Sequence, residues 1–87
     1  MKYKPGTKVL VISGGEGAYG VNDTKCVIIS CKKARELRSS LRLNGASGHP
    51  TPFVLTESGQ LWRLANGYEL KVLQQKPIGI IKVLFKN

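Results

Sequence analysis

The 87 residues hold two cysteines, one histidine, one tryptophan and five carboxylate side chains. Each shortage removes a class of chemistry. Cys26 and Cys31 stand at an odd separation, so on one strand they face opposite sides, too far apart for disulfide geometry, and are expected as free thiols. Only His49 joins them as a metal-ligand type, and neither Cys-x-x-Cys nor a histidine pair at helical spacing occurs, so no metal is expected. Glu16, Asp23, Glu36, Glu57 and Glu69 are scattered without a spacing that joins two carboxylates for acid–base work, and His49 lacks a nucleophile partner. A non-enzyme without cofactors is the expectation. Gly14-Gly-Glu-Gly17 leads into a strand rather than a helix and lacks a Gly-Lys-Ser/Thr ending, so it does not read as a phosphate loop. No apolar run approaches the roughly 20 residues of a membrane span, and Met1-Lys-Tyr-Lys-Pro offers no secretion signal. The cytoplasm is the default compartment.

What is present suits one small domain over 1–87, long enough for a single core that hides about 60–65% of the unfolded surface. Short β-rich runs at Lys8–Ser13, Lys25–Cys31, Pro52–Thr56, Leu61–Leu64 and Tyr68–Leu73 alternate with turn chemistry: Asn22-Asp23, Glu57-Ser-Gly-Gln60 and Asn66-Gly67. Such a series predicts a mainly β fold, a small barrel of five to six strands. One inward layer is expected from Val9, Val11, Val27, Ile29, Phe53, Leu55, Trp62, Leu64, Leu70, Val72, Ile80 and Val83. Gly14, Gly15, Gly17 and Gly20 permit positive φ in the loop after the first strand. The tail, residues 77–87, is apolar on both faces apart from Lys82 and reads as a sixth strand docked on its own sheet, in preference to a dimer contact.

Lys and Arg number 14, giving a net charge of +9. Charge of this size steers a protein toward polyanions and makes binding salt-dependent through counterion release. The basic residues cluster. Five lie in the insertion, residues 32–51, as Lys32, Lys33, Arg35, Arg38 and Arg42, and Lys2 and Lys4 open the chain. Ala34, Leu37 and Leu41 recur at helical spacing and Asn44-Gly45 reads as a stop, which favours a short amphipathic helix; the alternative is a hairpin arm extending the second strand. Among the aromatic side chains, Trp62 is assigned to the core and Tyr19, in the glycine-rich loop, to the surface as a stacking candidate. The polar loop Asn44–Pro52 reads as a connector.

Pro5-Gly-Thr-Lys-Val-Leu-Val-Ile-Ser13 followed by Gly14 to Val21 resembles the KOW-type motif of ribosomal proteins and transcription elongation factors. The opening Tyr3-Lys-Pro-Gly-Thr-Lys-Val9, with Gly59-Gln-Leu-Trp-Arg-Leu64 and Gly67-Tyr-Glu-Leu-Lys71, also looks like small phage-encoded SH3-like proteins. The resemblance implies an SH3-like barrel. The loop itself carries Glu16 and no basic residue, so contact with phosphates is assigned to Lys32–Arg42. The expected function is nucleic-acid binding, to DNA or RNA, through Lys32, Lys33, Arg35, Arg38 and Arg42 with Tyr19, Lys2 and Lys4 as secondary contacts. A second possibility is a phage-encoded module that grips an acidic host protein.

Overall fold

The computed structural model describes residues 3–45 and 51–74. Six strands, β1 (Lys8–Ser13), β2 (Thr24–Ile29), β3 (Leu43–Gly45), β4 (Phe53–Thr56), β5 (Leu61–Arg63) and β6 (Glu69–Gln74), share one mixed sheet in the order β3-β5-β4-β2-β1-β6. β1, β2, β4 and β5 form an antiparallel meander, β6 returns antiparallel on β1, and β3 runs parallel to β5. A 3-10 turn, Tyr19–Val21, precedes β2, and one helix, α1 (Cys31–Leu37), follows it. The fold is mainly β, of the small-barrel type, with a single short helix inserted.

β1 has the bounds that its alternation predicts: Val9 and Val11 are buried, while Lys8 and Ile12 are exposed. The turns are also where their residues place them. Asp23 takes φ 57, Gly59 φ 89 and Gly67 φ 83, the left-handed region that Asn-Asp, Ser-Gly and Asn-Gly pairs tolerate. β2 ends two residues early, because Ser30 caps a helix there, and Cys31 lies on α1 instead of on a strand. The thiols are free, as expected, with Cys26 buried and Cys31 exposed.

One inward layer is not what forms. Val9, Val11, Val21, Cys26, Ile28, Val54 and Leu64 make an inner cluster, joined at its edge by Tyr3, Trp62, Tyr68 and Leu70. Ile29, Phe53 and Leu61 face the other way, where Ala34 of α1 and the flanking Leu37, Leu41, Leu43 and Leu55 cover them. β2 and β4 are therefore buried on both faces, so Val27, Ile29, Phe53 and Leu55 belong to the outer layer and Cys26, Ile28 and Val54 take the inner positions. Val72 stays exposed on β6. The sixth strand found is β3, inside the insertion; the tail expected as a strand at 77–87 lies outside the described residues, together with Lys2 and His49.

Backbone hydrogen bonds curl the sheet. Ala65 N–H donates to the Gly14 carbonyl at 2.7 Å and Glu16 N–H to the Asn66 carbonyl at 3.1 Å, bringing the end of β5 against the end of β1, three places away in the sheet. The glycines serve that approach in two ways. Gly15 and Gly17 have positive φ, whereas Gly14 and Gly20 do not and are needed for space: a Cβ on Gly14 would strike the Ala18 carbonyl, and one on Gly20 would lie 2.6 Å from the Trp62 ring. Gly15 has φ 90 and a Cβ there would stand 2.5 Å from the Ala65 carbonyl oxygen, while Gly17 has φ 85 and open space around it. Both Gly→Ala variants carry the left-handed cost of about 1–2 kcal/mol, and Gly15→Ala adds an overpacking cost of about 1–3 kcal/mol. Urea denaturation is expected to place Gly15→Ala clearly below Gly17→Ala; equal midpoints would refute a tight seam at Ala65.

Candidate functional site

The Ser30 hydroxyl accepts the Lys33 N–H at 3.0 Å and starts α1, a cap contributing about 1 kcal/mol. Ala34 is fully buried against the sheet, with Leu37 and Leu41 half-buried beside it, which is the stripe the sequence predicts. The segment is a helix, not a hairpin arm, but a shorter one than the spacing suggests. It stops at Arg38 because Ser39 and Ser40 turn their hydroxyls back onto the Glu36 and Leu37 carbonyls, at 2.8 and 3.3 Å. Asn44-Gly45 is no helix stop. It pairs as part of β3 with β5, held by Asn44 Nδ2 donating to the Leu61 carbonyl at 3.1 Å.

Lys32, Lys33, Arg35, Arg38 and Arg42 are all exposed. Lys32 and Lys33 occupy the first turn of α1, which holds no acid, so they oppose the positive end of the helix dipole. That placement disfavours the helix, and the surface it leaves is basic apart from the exposed Glu36, one turn further on. The structure divides the predicted set. Cys31, Arg35 and Arg38 follow one another along one side of α1 and, with Ala34, line a recess of about 180 Å³ whose other wall is Phe53 and Arg63 of the sheet. No carboxylate among the described residues lines it. Arg42 lies in a separate groove with Leu41, Asn44, Gly59, Gln60 and Leu61.

Arg63 is the residue that charge clustering alone does not find. It is the direct cross-strand partner of Phe53, so both side chains stand on the outer face, and its guanidinium carbon sits 4.7 Å from the centre of the Phe53 ring. Its Nε is buried and has no hydrogen-bond partner among the described residues. The signal lies in the alternation about Trp62, which turns inward and leaves Arg63 outward.

The secondary residues stand elsewhere. Tyr19 is 63% exposed, as expected, on the 3-10 turn whose Gly20 abuts the Trp62 ring, on the inner-cluster side of β5 and away from α1. Trp62 is half-buried, packed on the inner cluster with its indole N–H donating to Gln60 Oε1 at 3.3 Å. Lys4 is exposed on a turn closed by Thr7 Oγ1 and N–H onto its carbonyl. Gly6 N–H donates to the Ile28 carbonyl, which sets that turn beside the end of β2, where α1 begins. A larger recess, about 390 Å³, lies between Lys8, Lys25, Cys26, Val27, Glu57 and Leu73, but its charges are of both signs. Among the described residues no group of three or more His, Cys, Asp or Glu could hold a metal ion, and no helix is long and apolar enough to cross a membrane. No family model, curated protein or solved structure matches the chain.

The two thiols are set apart by burial. Desolvation, with the nearby Glu57 carboxylate adding to it, pushes Cys26 from 9.0 to about 11. The raised value means the fold holds the proton, so this contribution to stability is full below pH 9 and is lost as pH rises through about 11. Iodoacetamide at pH 8 is expected to alkylate Cys31 alone in the native protein, with Cys26 reacting only on unfolding, as read by peptide mass spectrometry. Equal rates at the two sites would overturn the buried placement of Cys26.

Proposed function

We propose that this chain is a small SH3-like barrel that binds nucleic acid chiefly through phosphates, with the α1 face as its principal binding surface. The observation that carries the reading is that Arg35, Arg38 and Arg63 line one recess with no carboxylate among the described residues that line it. The exposed Lys32 and Lys33 extend that face along the helix. Sequence-independent attraction of this kind comes from neutralising phosphates and releasing their counterions, and +9 on 87 residues supplies the long-range part. The strand meander with β6 returning on β1 supports the SH3-like reading, and the resemblance to KOW-type and small phage proteins points the same way.

Tyr19 and Lys4 would engage the strand away from the helix, Tyr19 by stacking on an unpaired base. Replacing Arg35, Arg38 and Arg42 together by Gln is expected to weaken binding across all sequences. The plot of log affinity against log salt should flatten by about 0.7–0.9 for each phosphate that is no longer neutralised. Fluorescence anisotropy with labelled single- and double-stranded DNA and RNA over a salt series reads both quantities. An unchanged slope in the triple variant would sink the assignment to this face.

A second reading, binding of an acidic host protein, is favoured by the exposed apolar side chains of Ile12 on β1 and Val72 and Leu73 on β6, beside the basic Lys8 and Lys71. It requires a stoichiometric partner from nuclease-treated host lysate whose capture is abolished by charge reversal at Lys8 and Lys71, together with weak binding to every nucleic acid at physiological salt.

A further inference from the structure

We propose that the recess between α1 and β5 seats a single phosphate group, with Arg35 and Arg38 on the helix wall and Arg63 on the sheet wall. This rests on the nucleic-acid reading for the natural source of the phosphate, the backbone of a bound strand. The recess itself is argued from its own chemistry. Phe53 and Arg63 face each other across β4 and β5, and the guanidinium carbon lies over the ring at 4.7 Å from its centre, so the group is held against the sheet before any ligand arrives. Its Nε is buried without a partner among the described residues. That atom is closed to solvent, so a phosphate in the recess is met by the other donors of the Arg63 side chain, which lines it. Among the described residues none that lines the recess carries a negative charge: the remaining lining is Cys31, Ala34, Arg35 and Arg38.

The chemistry selects phosphate over carboxylate. Each guanidinium presents its donors in a rigid planar fork, and three forks around one small recess offer more directions than the two oxygens of a carboxylate can fill. A tetrahedral phosphate presents its oxygens in different directions and can accept from all three. Purely structural contact of Arg63 with Phe53 would explain the ring geometry but not two further arginines on the lining of the same recess, since like charges gathered near one another repel.

The test follows the Nε–H resonance of Arg63 in the ¹⁵N-labelled full chain, titrated with sodium phosphate and, separately, with sodium chloride at matched ionic strength. The expected result is a saturable shift at Arg63 in phosphate, with companion shifts at Arg35 and Arg38, absent in chloride and diminished in Arg35→Gln. Shifts of the same size in both salts would show screening only and overturn the proposal. A parallel arm measures oligonucleotide affinity. Arg63→Gln is expected to lower it about tenfold and to reduce the salt slope by about one phosphate's worth, while Arg63→Lys, which keeps the charge but not the fork, recovers only part of the loss. An unchanged backbone amide spectrum establishes that each variant folds.

The two ideas fail separately. Oligonucleotide binding that survives Arg63→Gln undiminished overturns the phosphate seat and leaves the α1 face standing. Saturable phosphate binding with no oligonucleotide bound at any salt supports the seat and removes nucleic acid as its source, turning the search to a phosphorylated protein.

Discussion

The seam between Gly14–Glu16 and Ala65–Asn66 sets the geometry on which the rest depends. An open sheet of six short strands has two faces and too few apolar residues to bury both. By drawing the end of β5 against the end of β1, the seam wraps one face around Val9, Val11, Ile28, Val54 and Leu64, which then need no covering layer. The outer face over β2, β4 and β5 is left convex and partly apolar, through Ile29, Phe53 and Leu61. That patch is what α1 covers, and it is the reason a seven-residue helix, too short to persist alone, is held in a single place.

Helix docking in turn fixes the charges. With Ala34 fully buried and Leu37 and Leu41 half-buried toward the sheet, the helical repeat obliges Arg35 and Arg38 to flank the packed stripe. A larger residue at position 34 would lift the helix off Phe53 and spread the recess. Pairing of β4 with β5 brings Arg63 under the same edge from the opposite side. The recess is therefore a joint product of two surfaces, and neither the basic segment nor the sheet contains it alone.

Legibility in the sequence follows the number of buried faces. β1, buried through Val9 and Val11 with Lys8 and Ile12 outward, is readable to the residue, and the turns at Asn22, Glu57 and Asn66 are readable from their own chemistry. β2 and β4 carry apolar residues on both faces, so alternation gives no phase, and the inner and outer sets exchange places. β3 is hidden because Leu-Asn-Gly has little strand character and is held by a non-local parallel pairing. The helix is visible as a pattern, but its end is decided by two serines that bond backward. Arg63 stands within reach of sequence reasoning: a hairpin turning at Glu57–Gln60 that pairs Leu55 with Leu61 must pair Phe53 with Arg63. What sequence could not supply is the helix that meets them, because that meeting depends on curling of the sheet.

Charge that is merely plentiful and charge that is fixed behave differently toward a polyanion. The exposed lysines of α1 and Lys4 act through solvent, and at physiological salt their reach falls within a Debye length of about 8 Å. They raise the encounter rate and lose their hold as salt rises. Arg63 is partly withdrawn from solvent, stacked on Phe53, and screened less. A donor group already held in place and partly desolvated would, on the proposed reading, give up less water and less side-chain freedom to a bound anion than an exposed lysine does. On this account the +9 charge governs how fast an acidic partner arrives, and the recess between α1 and β5 governs how much of the binding survives in salt.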